Sequence, residues 1–533
     1  MEQATLPHPP LSRGETMPPG PRTPALAQAL MYANDPLGFL SKHQRRYGDI
    51  FTVRFPYFGR IVYVARPDLV KAVFTGSPAV FHAGEANATV LEPALGPTSV
   101  LTLDDEPHMR QRKLLLPPFH GERVQRYGEL IREVTRAEME SWPVGEPFAI
   151  RTHTQRITLA VIMRAVFGVH DEDRLRRFEV LIDDFARRVG LITSFPFLRR
   201  SLGRLSPWAR FVHSREALDA FIYEEIALRR SEPGHEERDD VLSLLLGARD
   251  EDGEPMSDRE LRDEMVTVLG AGHETTATGL AWAVERLTRN PRVLARLRES
   301  LAAGEEDYMA ATVKETLRSR PVIVDVARKL KAPATIGGYE FAAGDFVLAA
   351  IAALHYREDV FAEPQQFRPE RFLDGKTDNY AWIPFGGGVR RCIGAAFAEY
   401  EMRTILREFV ERADLRAAEP AAEKVKVRNI TLAPAKGGRV VLDAPLAAGL
   451  GVAWSAAQPD RPLRGALAAC GGGGLHAQLR PRLAACGERP RRDLARTLRD
   501  LQPQRHLLTA LGRCGCLAEL ERSSCSFRGG GTV

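Results

Sequence analysis

The chain has 533 residues, 44% hydrophobic and 27% charged, the make-up of a globular protein with room for more than one domain. Its net charge of +5 comes from one end: residues 446–533 hold 13 Arg, no Lys and 6 acidic residues, while the rest has 61 basic against 63 acidic residues, which argues against a nucleic-acid binder. No apolar run reaches the roughly 20 residues that span a bilayer, and the start has no apolar secretory core, so a soluble cytoplasmic protein without a transmembrane anchor is expected.

Residues 1–25, rich in proline, read as a flexible leader. A helix is expected from Asp35-Pro36 through Tyr47, stopped by Gly48. Ile50–Phe55 and Ile61–Ala65 read as the strands of a hairpin. A short helix follows at Asp68–Phe74, then irregular chain over 76–100. Pro107 opens a helix on which His108 and Arg112, four residues apart, share a face. Such a pair suits carboxylates, though by itself a solvated basic face, with Arg110 and Lys113 nearby, explains it better. Residues 120–250 are mostly helical, interrupted by the apolar stretch Gly190–Phe197, a core turn or a lid over a greasy pocket.

Ser257 and Glu260 form a capping box for an unusually long helix ending near Arg289. Its centre, Ala271-Gly272-His273-Glu274-Thr275-Thr276, is a poor helix sequence. Local conflicts of this kind often mark function. A hydroxyl (Thr275) next to an acid (Glu274) can relay protons, and Gly272 leaves space beside them. A bent structural helix explains the glycine and the threonines but not the acid. Glu315 and Arg318 are i, i+3 neighbours on a helix that ends near Pro321. Within Val322–Arg328, Asp325 reads as exposed or as a polar substrate handle, exposure being preferred.

Cys392 is the one cysteine before residue 446. Gly386, Gly387, Gly388 and Gly394 around it allow tight turns and close approach of a flat cofactor. A helix from Gly394 to Val410 puts the thiol at a helix N-terminus, where the dipole favours a thiolate. Arg390 is a cation for an anionic group on the same cofactor, and Phe385 can shield the sulfur. Asn429–Pro434 reads as a turn reaching into the pocket and Gly438–Leu442 as a closing strand. Residues 446–533 are an atypical Arg/Gly/Cys-rich tail, read as disordered or non-native.

The spacing Phe385-x-x-Gly388-x-Arg390-x-Cys392-x-Gly394 resembles the haem-binding loop of the cytochrome P450 family, whose haem iron is held by a Cys thiolate. Ala271–Thr276 resembles that family's acid-alcohol motif, which implies that Thr275 and Glu274 deliver the protons that O2 cleavage needs and that Gly272 leaves room for the diatomic. Glu315-x-x-Arg318 with Arg371 of Phe367-Arg368-Pro369-Glu370-Arg371-Phe372 resembles its structural charge cluster, and His108-x-x-x-Arg112 its propionate-binding helix. The resemblance covers about Pro18 to Pro445. It implies a mainly α fold with a small β-sheet region, over 26–445, and haem b as cofactor. It makes Cys392 the proximal iron ligand. His108, Arg112, Arg328 and Arg390 become propionate partners, and the apolar stretch at 190–197 becomes a lid.

The activity implied is hydroxylation or epoxidation of a hydrophobic small molecule with O2. Two electrons would come from a separate ferredoxin and ferredoxin reductase, or a flavodoxin-type donor, docking near Arg390–Arg391. Segments near 82–100, 185–200, 264–275, 322–326 and 430–433 are mostly apolar and suit a lipid, terpenoid, steroid or polyketide-like substrate. Peroxide-driven oxygenation and oxidative coupling keep the fold and change the reaction. A haem-binding sensor would have no use for the Glu274–Thr275 pair.

Overall fold

Residues 17–445 are described in this computed structural model, apart from 57, 195–197, 201–202, 205 and 376. The atypical tail and residues 1–16 lie outside the described residues. The rest of the expected leader is fixed, not flexible. The Thr52 hydroxyl donates to Pro18 O and the Thr52 N–H to Pro19 O, both at 2.9 Å, and buried Gln28 donates to Thr23 O (2.7 Å). A proline has no amide donor but keeps its carbonyl, so this segment accepts from the neighbouring strand.

Helices α1 (Ala25–Asn34) and α2 (Pro36–Tyr47) come first, α2 capped by Asp35 and stopped at Gly48. The hairpin forms as expected: β1 (Ile50–Phe55) pairs antiparallel with β2 (Gly59–Val64). Then come α3 (Pro67–Thr75) and β3 (Phe81–His82). The irregular chain expected over 76–100 contains a helix, α4 (Gly84–Leu95). Its first amides, Gly84 and Glu85, donate to the Asp104 carboxylate (2.8 and 2.7 Å), a distant cap that local pattern does not reveal.

Next are α5 (Asp105–Leu115), α6 (Arg123–Arg126), α7 (Gly128–Met139), β4 (Pro147–Ala149) and α8 (Ile150–Ala165). Helices α9 (Glu172–Ser194) and α10 (Pro207–Ser231) run antiparallel, Phe178 meeting Phe221 and Phe185 meeting Phe211. Gly190 does not interrupt the helix, since α9 continues to Ser194. After α11 (Val241–Gly247) comes α12 (Asp258–Arg289), opened by the expected capping box. The remaining helices are α13 (Pro291–Ala302), α14 (Asp307–Ser319), α15 (Ile351–His355) and α16 (Ala395–Arg412).

Strands β5 (Val326–Leu330) and β8 (Phe346–Ala349) flank the pair β6 (Ala334–Ile336) and β7 (Tyr339–Phe341). The largest sheet has the order β1-β2-β8-β5-β3. At the end of the described chain, β9 (Ala413–Ala417) and β12 (Arg439–Pro445) join β4, and β10 (Val425–Arg428) pairs with β11 (Thr431–Pro434). The fold is therefore mainly helical with a small β region. The main core surrounds α12, with Met265, Leu269 and Leu280 packed among Ile157, Leu218 and Ile405. A helix buried nearly all round belongs at a centre. Among the described residues no helix is long and apolar enough to cross a membrane.

Candidate active site

The cysteine loop rests on buried charges. Glu315 and Arg318 on α14 are both 0% exposed and paired twice, at 2.7 and 2.8 Å. Glu315 also accepts from the Arg368 N–H (2.9 Å), and Arg371 Nε lies 3.1 Å away. Arg318 donates to the carbonyls of His355 and Pro364 (both 2.9 Å). Burial, helped by Arg318, pushes the His355 pKa down to about 3. Its neutral Nε2 accepts from the Ile383 N–H (3.0 Å), just ahead of Phe385, and the Phe385 carbonyl accepts from the Cys392 N–H (2.9 Å). Phe385 packs edge-on against Trp382. Gly388 has φ +65°, and a Cβ there would stand 2.0 Å from Phe74 O, so α3 presses directly on the loop.

Cys392 presents an accessible thiol just before Gly394, the N-cap of α16. Burial pushes the thiol pKa up, while the Gly394 N–H and the charges of Arg391 and Arg112 act the other way. The expected thiolate-stabilising groups are present, and in the free thiol desolvation outweighs them. A Cβ added to Gly394 would meet no protein atom within 4 Å, so the backbone there is open to a flat neighbour.

Four residues from three separate segments converge nearby. His108 is 3% exposed, and its pKa is pushed down to about 3 by burial and then by Arg390, Arg112 and Arg328. Arg390 donates to Asp104 and Leu103 O (both 2.5 Å) and Val100 O (3.1 Å). Arg112 donates to Arg391 O (2.8 Å), tying α5 to the cysteine loop. Arg328, 5% exposed, donates to its neighbour Ala327 O (2.9 Å), lies over the Phe74 ring and feels the charge of Asp104. Burial brings Arg328 and Arg390 down to about 10. Among the described residues no carboxylate lies within ion-pair distance of Arg328. A cavity of about 1090 Å³ reaches His108, Arg328 and Arg390 but is not lined by Cys392.

On α12 the residues 261–267 and 276–285 are buried, yet Gly270 and Ala271 between them are exposed. The Thr275 hydroxyl donates to Ala271 O (2.5 Å). Glu274 turns toward α8 and the β10–β11 pair, taking hydrogen bonds from Arg151 (2.5 Å), Gln155 (2.9 Å) and Thr431 (3.3 Å). Thr158 and Thr154 donate to the carbonyls of His273 (3.1 Å) and Ala277 (2.9 Å), and the His273 ring donates to Gln155 O (3.1 Å). The missing Cβ of Gly272 faces α8, where it would stand 3.0 Å from the end of the Ile162 side chain, a packing role the sequence did not suggest. Asp325 is also not simply exposed: Tyr63 (2.9 Å) and Tyr32 (3.1 Å) donate to it, and burial pushes its pKa up to about 6.

Sequence reasoning passed over Asp104, Arg151, Gln155, Thr158 and His355. A signal existed for the α8 residues, since Arg151, Gln155 and Thr158 recur at helical spacing on a largely buried helix. Asp104 and His355 left no such trace.

These residues fit an iron macrocycle bearing two carboxylates. A sulfur donor, a backbone a flat ring can approach and a buried arginine without a carboxylate in ion-pair distance are what such a group requires. Among known proteins, the family model described as Cytochrome P450 matches residues 17–438. Cytochrome P450 135B1 of Mycobacterium tuberculosis is 41% identical over 430 residues, 80% of this chain and 91% of that protein. Cytochrome P450 138 of the same organism is 39% identical over 439 residues, 82% and 98% of the two chains. The structure is similar to retinoic-acid-bound cyanobacterial CYP120A1, with TM-score 0.70, 25% identity and coverage of 81% of this chain and 99% of that one. The heme domain of cytochrome P450DA matches with TM-score 0.70 at 24% identity, covering 80% and 97%.

Proposed function

The chain belongs to the cytochrome P450 family of haem-thiolate monooxygenases, and from that premise we propose which residues do the work and on what class of molecule. The cofactor is haem b, with Cys392 as its proximal ligand. Once bound, the haem supplies the redox chemistry by which one atom of O2 enters an apolar C–H or C=C bond and the other leaves as water. Arg112, Arg328 and Arg390 with His108 hold its two carboxylates. The observation that carries this reading is buried Arg328, a guanidinium with no carboxylate in ion-pair distance among the described residues, beside three further predicted contacts. Phe385 keeps water from the sulfur, and Gly394 lets the ring approach.

Thr275 places a hydroxyl on the accessible turn of α12. Because its proton is given to Ala271 O, its lone pairs are free to accept a hydrogen bond in the pocket. Glu274 moves protons to that turn. Arg151, Gln155 and Thr431 hold its carboxylate toward α8 and β11, so delivery requires Glu274 to leave at least one of them. Gly272 supports the packing of this turn on α8.

The substrate is a hydrophobic molecule of the lipid, terpenoid, steroid or polyketide-like kind. The retinoic acid bound to the cyanobacterial relative supports an extended isoprenoid or lipid. Electrons come from a separate ferredoxin with its reductase, or a flavodoxin-type protein, in the cytoplasm, docking by exposed Arg391. Unchanged turnover in Arg391→Glu with intact haem spectra would count against that docking site.

The test is optical titration of the ferric full-length protein with fatty acids, retinoids, steroids and macrolides. A saturable low- to high-spin change, with the Soret band moving to shorter wavelength, names the substrate class. Failure of the wild type to bind haem, or an unaltered spectrum in Cys392→Ala, would overturn the assignment of the ligand.

A further inference from the structure

Helix α1 buries its glutamine and exposes its leucines. The Gln28 amide donates to Thr23 O (2.7 Å), and its side-chain carbonyl accepts from the Arg54 N–H of β1 (2.9 Å). That buried anchor fixes which way the helix faces. Leu26, Leu30 and Ala33, at i, i+4 and i+7, lie on the opposite side. Leu26 and Leu30 are 63% and 64% exposed, and Met31 beside them is exposed too. On an ordinary surface helix the apolar stripe faces the core.

Cations rim this stripe, and acids are missing from it. Helix α1 packs against β1 and β10. The elements α1, β1, β2, β10 and β11 contain no Asp or Glu. They carry Arg54, Arg60, Lys426 and Arg428, with Arg22 and Lys424 just outside them. All six are exposed, and among the described residues none has a carboxylate in ion-pair distance. Arg54 and Arg60 even stand opposite each other across the β1–β2 pair, an arrangement that costs stability. Elsewhere exposed arginines find acids, as Arg177 does with Glu224 (2.9 Å). An apolar stripe rimmed by unpaired cations matches both attractions of an anionic lipid surface: side chains enter the acyl boundary while charges meet the headgroups. An acidic protein would satisfy the cations without needing two exposed leucines. A second copy of this chain would bring the same cations face to face.

We propose that α1, with its rim of Arg22, Arg54, Arg60, Lys424, Lys426 and Arg428, docks this protein on an anionic lipid surface. The contact is peripheral, made by one helix face and its rim, and it is independent of the proposed function.

The test is co-sedimentation of the full-length protein with vesicles of phosphatidylcholine, alone or with about one-third phosphatidylglycerol. The wild type binds the anionic vesicles, and binding weakens as salt rises. Arg428→Ser weakens it by about fivefold, the weight of one cation at such a surface. Arg292→Ser, which removes an exposed cation from α13, leaves it unchanged. Leu26→Ser combined with Leu30→Ser weakens it by about tenfold with thermal unfolding as in the wild type. Arg54→Ser also weakens binding, while its unfolding temperature stays or rises because a like-charge pair is relieved. Equal binding to neutral vesicles would overturn the role of the rim. Loss with the cations but not with the leucines would overturn the lipid assignment in favour of an acidic partner. Residues 446–533 bring further arginines to every variant, so binding that all these substitutions leave unchanged belongs to them and would overturn the docking face.

Discussion

The cysteine loop and the central turn of α12 are held in opposite ways. Beneath the loop are a fully buried ion pair, a neutral histidine and glycines pressed on Phe74, so its polar groups have short, specific partners. The turn of α12 hangs on side chains from other elements: Arg151, Gln155, Thr158 and Thr431. Side-chain partners can be exchanged without unfolding a helix. The difference teaches that a ligand loop benefits from being fixed, whereas a proton-carrying acid must keep the ability to move.

The largest expected effect breaks the fixed side. Glu315→Ala leaves Arg318 buried without its partner and should cost about 3–5 kcal/mol, with loss of haem, measured by thermal unfolding. An effect below about 1 kcal/mol would mean that the loop stands without its charge cluster. On the movable side, Glu274→Gln should lower turnover by about 100-fold and leave unfolding nearly unchanged. A large loss of stability in that variant would erase the contrast.

Acid sharpens the comparison. The folded-state pKa of His355 lies below the unfolded value, so the stability it contributes is full above about pH 6.5 and is lost as pH falls toward 3. By pH 5 the loss should be about 2 kcal/mol. His355→Gln, which keeps an acceptor for Ile383, should flatten that slope in urea unfolding across pH 5–7. The smallest effect is expected at Gly272→Ala. Its Cβ meets only the end of the Ile162 side chain, and the helix gains propensity, so stability should move by less than about 1 kcal/mol. Turnover should stay within about twofold; a collapse of turnover at normal stability would support the reading in which Gly272 makes room for the diatomic.

Much of the frame was legible beforehand because its signals are local. The hairpin at Ile50–Val64 has two β-rich runs around a turn, and the start of α12 has its capping box. Helix α4 was hidden because its cap, Asp104, comes from a later segment and Gly84, Gly96 and Pro97 around it read as breakers. Asp325 was misjudged because its partners, Tyr32 and Tyr63, are hundreds of residues away. Gly272 was correctly singled out as unusual, but which neighbour its missing Cβ faces is a matter of helix packing.

By itself the sequence determined the family, the mainly helical class and the residue types at the site, since Phe385–Gly394, Ala271–Thr276 and Glu315–Arg318 each carry their chemistry within one short stretch. Only the tertiary structure decided who holds whom. It set Arg328 in the interior, turned Glu274 toward Arg151, and brought His355 to the Ile383 N–H beneath the cysteine loop. The physical reason is that residue type fixes what a group can donate or accept, whereas packing of distant elements fixes which partner stands within 3 Å.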